Sequence, residues 1–120
     1  KEIIKMADIL KISQSVLFTE DEISKTTRFL DDNVSHTPIT HEKGKATVPG
    51  NTTDLELALN VNFCTLILKK GNPFTIKLGD TTAPAISNVR LFTFDASASS
   101  IFVTNGDTEP VIIEYVTAKW

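Results

Sequence analysis

The sequence predicts an all-β chain, an antiparallel β-sandwich of jelly-roll-like or immunoglobulin-like type with about nine strands. Three observations predict it. Leu55, Leu57, Leu59 and Val61 are interleaved with Glu56, Ala58 and Asn60, and Phe74, Ile76 and Leu78 with Thr75 and Lys77. A period of two places alternate side chains on opposite faces of a strand. Residues 89–94, 101–104 and 111–116 are rich in β-branched and aromatic side chains, the types that suit a pleated, half-buried surface. Turn chemistry recurs every 8–12 residues or so, which marks a sandwich rather than alternating α/β units. Short loops make antiparallel pairing the expectation.

Each element has its own justification. Residues 1–6 are charged and mixed, with Ile3, Ile4 and Met6 able to start a short amphipathic helix that Asp8 and the β-branched run after it would end. Leu10, Ile12, Gln14, Val16 and Phe18 then follow at period two and predict a strand. Thr19-Glu20-Asp21-Glu22 reads as a turn or a single helical turn with acidic residues at its start, and 23–30 as a strand favoured by Thr26, Thr27 and Phe29. Asp31-Asp32-Asn33 is a turn by its side-chain chemistry. Pro38 restricts 34–43 to an edge strand or an extended loop, with a short strand at 45–48 after Gly44. Val48-Pro49-Gly50-Asn51 fits a type II turn in which Gly50 supplies the positive φ.

The second half is more regular. Residues 54–61 form a half-buried strand, Asn62 a kink, and 63–70 an apolar run ending in Lys69-Lys70. Gly71-Asn72 predicts a type II′ hairpin into 73–78. Residues 79–87, with Pro84, form a loop. Residues 88–95 are apolar on both faces and predict a central strand. Ala96–Ser99 reads as a small-residue turn, 101–104 as a strand, Asn105-Gly106-Asp107 as a turn, and 110–117 as the closing strand. The expected organisation is one domain over 1–120, with 1–18 as an N-terminal arm or edge strand contacting a partner.

Composition narrows the function. A chain of 120 residues with 41% hydrophobic content can supply one core without staples. The net charge of −3 and scattered Lys and Arg do not make the basic face that phosphate binding needs. No apolar stretch approaches the roughly 18–20 residues that span a bilayer. The single Cys64 sits among Phe63 and Leu66. It reads as a small buried hydrophobe, since a catalytic thiol wants a His partner and an electropositive setting.

Candidate chemical sites are sparse. His36 and His41, five apart, would point to opposite faces of one strand, which is poor for a shared metal. Asp31-Asp32-Asn33 and Asn105-Gly106-Asp107 lack the spaced oxygens of a calcium loop. Gly79-Asp80-Thr81-Thr82 lacks the framework and helix of a phosphate loop. No nucleophile elbow or carboxylate pair stands out. Catalytic, metal and cofactor residues are therefore expected to be none. Tyr115 and Trp120 could stack on sugar rings if exposed, which is the glycan-binding alternative: a carbohydrate-binding module or adhesin domain.

Three stretches carry a resemblance: Asn51-Thr52-Thr53-Asp54-Leu55-Glu56-Leu57, Asn72-Pro73-Phe74-Thr75-Ile76-Lys77-Leu78-Gly79, and Ser99-Ser100-Ile101-Phe102-Val103-Thr104-Asn105. In style, residues 51–119 resemble small β-sandwich structural proteins of tailed bacteriophages. That resemblance implies a capsid decoration, head-tail or tail-associated protein. It would be a non-catalytic homo-oligomer in the virion, assembled in the host cytoplasm, and its partners would be itself and other virion proteins. It carries over no functional residues. The arm residues Leu10, Ile12, Val16 and Phe18, together with Trp120, are the candidate partner contacts. Edge strands expose unpaired backbone groups, and such an arm could complete a neighbour's sheet.

Overall fold

The structure, a computed structural model, describes residues 9–20 and 25–120, with side chains described for 9–14 and 34–120. The described residues contain strands, turns and loops and no helix. The eight strands are β1 (Leu10–Glu20), β2 (Lys25–His36), β3 (Thr40–Val48), β4 (Thr52–Lys70), β5 (Phe74–Leu78), β6 (Ile86–Val89), β7 (Leu91–Asn105) and β8 (Val111–Lys119). Every ladder is antiparallel. The fold is an antiparallel β-sandwich, as the alternation predicts. The expected short helix at 1–6 and positions 21–22 of the expected turn lie outside the described residues, while Thr19 and Glu20, read as the start of that turn, are the end of β1, paired with Thr26 and Lys25.

The chain divides into two compact units, Lys1–Pro38 and Ile39–Trp120. In the first, β1 and β2 make a two-stranded sheet of their own. In the second, six strands follow the order β3-β8-β4-β7-β5-β6. Two of these are unusually long, β4 with 19 residues and β7 with 15. The later part of β4 pairs with β8 and with the start of β7, while its earlier part pairs with the end of β7. That end of β7 also pairs with β5. The two long strands thus run through both layers. The ladder shifts register repeatedly between Thr52 and Phe63, and Asn60 adopts a φ of 49° within that stretch. Bulges bend a strand, and strands that pass between layers at bulges make the corners of a sandwich.

One core lies between the layers. Val48, Cys64, Leu66, Val111 and Ile113 come from one side, and Phe74, Ile76, Val89, Ile101 and Val103 from the other. Burying a side chain such as Leu66 or Ile76 contributes about 1.5–3 kcal/mol. Phe74, Ile76 and Leu78 turn their alternate positions inward as the sequence predicts, the first two fully. The row Leu55, Leu57, Leu59, Val61 does not stay in phase. Leu59 is 55% exposed while Val61 is buried, because each bulge offsets which face the next residues show.

Several local expectations are corrected, each for a physical reason. Residues 54–70 form one bent strand, not two strands divided at Asn62. Ala96–Ser99 is not a reversal. Between the pairs Val61–Ser99 and Phe63–Asp95, the β7 residues Ala96, Ser97 and Ala98 face Asn62 alone, so the small residues make a bulge. The expected central strand 88–95 breaks at Arg90 into β6, at the sheet edge, and the start of β7. Asp31-Asp32-Asn33 lies within β2, opposite Ser15, Gln14 and Ser13.

The glycines at two corners act differently from their sequence readings. At Gly50 the positive φ belongs to its neighbour, Asn51 at 56°. A Cβ on Gly50 would lie 2.0 Å from the Thr108 carbonyl oxygen, so this glycine permits a close backbone approach instead. Gly71 does take a positive φ of 100°. It links β4 to β5, which are not paired with each other, so the corner joins the layers and is not a hairpin. The last corner is organised by Asn105. Its buried amide donates to the carbonyls of Val48, Pro49 and Glu109 at 3.2, 3.2 and 2.8 Å, and its oxygen accepts from the Asp107 amide at 3.1 Å.

Candidate interaction surfaces

The β1–β2 ribbon is the first candidate surface. Its ladder runs from Leu10↔His36 to Glu20↔Lys25, broken once where Val16↔Leu30 gives way to Leu17↔Arg28. Phe29 is therefore the extra residue of a bulge on β2, while β1 stays regular. Leu10 and Ile12 are half-buried, and Val34, opposite Ile12, is 50% exposed. For Val16 and Phe18 the structure gives register positions only, opposite Leu30 and Thr27. A two-stranded ribbon is at best marginally stable by itself in water, and a third strand or a packed face is what stabilises it.

Strand edges are the second feature. β1 and β2 each have one paired neighbour, and β3 and β6 end the six-stranded sheet. β3 pairs with β8 over nine unbroken positions and carries His41, Lys43 and Lys45 at alternate exposed sites. Lysines on an edge discourage strand addition. β6 is short. It places Ser87 and Asn88 against Thr75 alone, and Asn88 has a φ of 57°.

The third feature is an exposed apolar pair that sequence patterning did not single out. Ile67 on β4 and Leu91 on β7 are direct cross-strand partners, 43% and 64% exposed. Beside them the hydroxyls of Thr65 and Thr93 share a 3.0 Å hydrogen bond. Residues 88–95 read as apolar on both faces, and the break at Arg90 is what leaves Leu91 outward.

The aromatic candidates are placed separately. Tyr115 is half-buried on β8, lies over Gly44, and donates its hydroxyl to Glu42 Oε1 at 2.9 Å. This acceptor holds the phenol above its ordinary value, with burial adding in the same direction. Trp120 is half-buried, and its backbone amide donates to Asn62 Oδ1 at 3.0 Å. The two residues are five positions apart and do not share a strand face.

Other sequence candidates resolve into structural roles. His36 and His41 fall in different units. Among the described residues there is no group of three or more His, Cys, Asp or Glu able to hold a metal ion. Asp80 accepts from both the amide and the hydroxyl of Thr82, at 2.8 and 2.6 Å. Its carboxyl is thereby held below its ordinary value and fastens its own loop. Asp107 is lowered likewise, first by the Asn72 amide and then by the Thr108 backbone. Cys64 is fully buried, and burial pushes its thiol up to about 12. A hollow of about 230 Å³ opens beside Leu57, Leu59 and Val61, rimmed by His41, Glu42 and Lys119.

With the geometry in hand, comparison with protein families, curated proteins and solved structures returns no match. No helix among the described residues is long and apolar enough to cross a membrane.

Proposed function

We propose that this chain is a non-catalytic structural protein that acts through subunit contacts, as a component of a tailed-phage virion. The part it would play is capsid decoration, a head-tail joint or a tail-associated position. One observation carries the subunit-contact reading: a two-stranded ribbon that forms its own unit, with one edge of each strand unpaired among the described residues. Such a ribbon gains most from a further strand. Subunits repeated around a ring or over a lattice also turn weak individual contacts into strong assembly. The virion assignment rests on the sequence resemblance over residues 51–119. Glycan recognition has less support, because Tyr115 is engaged with Glu42 and shares no face with Trp120.

Light scattering on the purified chain tests the reading. It predicts an oligomer, or tight association with a capsid or tail. Removal of residues 1–18 should lower the assembled mass while the thermal transition of the remaining unit persists. A monomer with no affinity for either particle would overturn it.

A further inference from the structure

Four strand edges are unpaired in the described part of the molecule, and they are not equivalent. On β6 the edge is short and bulged. On β2 it carries the Phe29 bulge, which bends it near its middle. On β3 it is long and regular but rejects a second copy of itself. In an antiparallel pair about a two-fold axis, residues directly opposite share one face. Registers centred on Lys43, Gly44 or Lys45 keep the most of β3 paired. They place Lys43 against Lys43, Lys43 against Lys45, and Lys45 against Lys45 respectively. Like charges directly opposite destabilise a sheet.

The remaining edge, β1, has the opposite character. Its sequence, LKISQSVLFTE, is close to a palindrome in polarity about Gln14. A two-fold axis through Gln14 sets Ile12 opposite Val16 and Leu10 opposite Phe18, each twice. It also sets Ser13 opposite Ser15 and Lys11 opposite Leu17, so between Leu10 and Phe18 no like charges meet. Moving the centre to Ser13 or Ser15 leaves only one of these kinds of apolar pair on that face, Leu10 with Val16 or Ile12 with Phe18. Aromatic and β-branched cross-strand pairs are the stabilising kind.

We propose that β1 is a self-recognition edge: β1 of a second copy pairs with it antiparallel about Gln14, joining two ribbons into one four-stranded sheet. The inference rests on the subunit-contact reading above and names its partner and register. It brings the ribbon past the three strands at which a sheet becomes independently stable. Apolar pairs flanking a central Gln favour this register, since a slip to either neighbouring centre leaves one kind of apolar pair on that face in place of two.

Cysteine cross-linking of the full chain tests it. The single native thiol, Cys64, is buried, so the unmodified protein serves as the blank. Gln14→Cys places two thiols on the axis and is expected to give a covalent dimer under mild oxidation. Asn33→Cys, on β2 opposite Ser13, is expected to give none. Gln14→Lys, which sets two like charges face to face, is expected to weaken the non-covalent dimer by about two- to fivefold. A dimer cross-linked through Asn33→Cys and not Gln14→Cys would overturn the β1 register and leave the arm reading standing. So would an oligomer that neither cysteine cross-links. Monomeric mass with no cross-link in either variant would overturn both.

Discussion

Val48, Ile101, Val103, Val111 and Ile113 in the six-stranded unit are wholly shielded from solvent, whereas Leu10 and Ile12 on the ribbon are half-buried and Val34 is half exposed. Both regions are built from the same alternation of apolar and polar residues. The larger unit closes on itself, because β4 and β7 bend and fold one sheet into two facing layers. Among the described residues the ribbon is a sheet of two strands. The contrast teaches that period two fixes which residues share a face, while strand number and bulges decide whether that face finds cover within its own unit.

The sharpest way to break this comparison is a cavity in the larger unit. Leu66→Ala should cost about 2–5 kcal/mol in denaturant unfolding, since Leu66 has no exposed surface. A loss below about 1 kcal/mol would mean that the two layers are not packed as described. Next is the corner tie. Asn105→Ala strips donors from the carbonyls of Val48, Pro49 and Glu109. It should cost about 1–3 kcal/mol, and an unchanged unfolding midpoint would show that this side chain does not hold β3 to the β7–β8 corner.

Alkaline titration sharpens the same point. Burial raises the Cys64 thiol to about 12 in the folded chain, against about 8.5 for a free thiol. The folded state therefore keeps its full stability below the unfolded value and loses it as pH rises toward the folded one. The expected slope is about 1.4 kcal/mol per pH unit above roughly pH 9, and Cys64→Ala should remove it up to about pH 10, where the raised Tyr115 phenol begins to contribute its own. Equal slopes in the two proteins would place the thiol within reach of water. The smallest effect is expected on the ribbon. Ile12→Ala should shift global stability by less than about 1 kcal/mol while lowering assembly, and a core-sized loss would erase the distinction between the regions.

Much of the fold was legible in the residues. The β class, most strand positions, and the inward row Phe74, Ile76 follow from alternation alone. Two of the misread places come from bulging. Ala96–Ser99 carries the small residues of a turn, yet those residues are spare length opposite Asn62. Leu59 obeys the period, yet Asn60 and the register shifts carry it outward. Gly50 looks like a source of positive φ, yet what demands glycine there is Thr108, more than fifty residues away in the chain. Such contacts depend on layer geometry that local pattern does not encode. The ribbon candidates were visible as the alternating Leu10, Ile12, Val16 and Phe18, whereas the outward Ile67–Leu91 pair needed the strand break at Arg90.

The strand order has a consequence for how the protein is made. β8 lies between β3 and β4, so during synthesis the first of these has no neighbour to hold until the last strand of the unit emerges from the ribosome. Thr40 finds its rung partner only at Lys119. The nascent chain must therefore carry β3 without its ladder partner until β8 follows it, and lysines on an edge discourage sticking to other nascent chains during that wait.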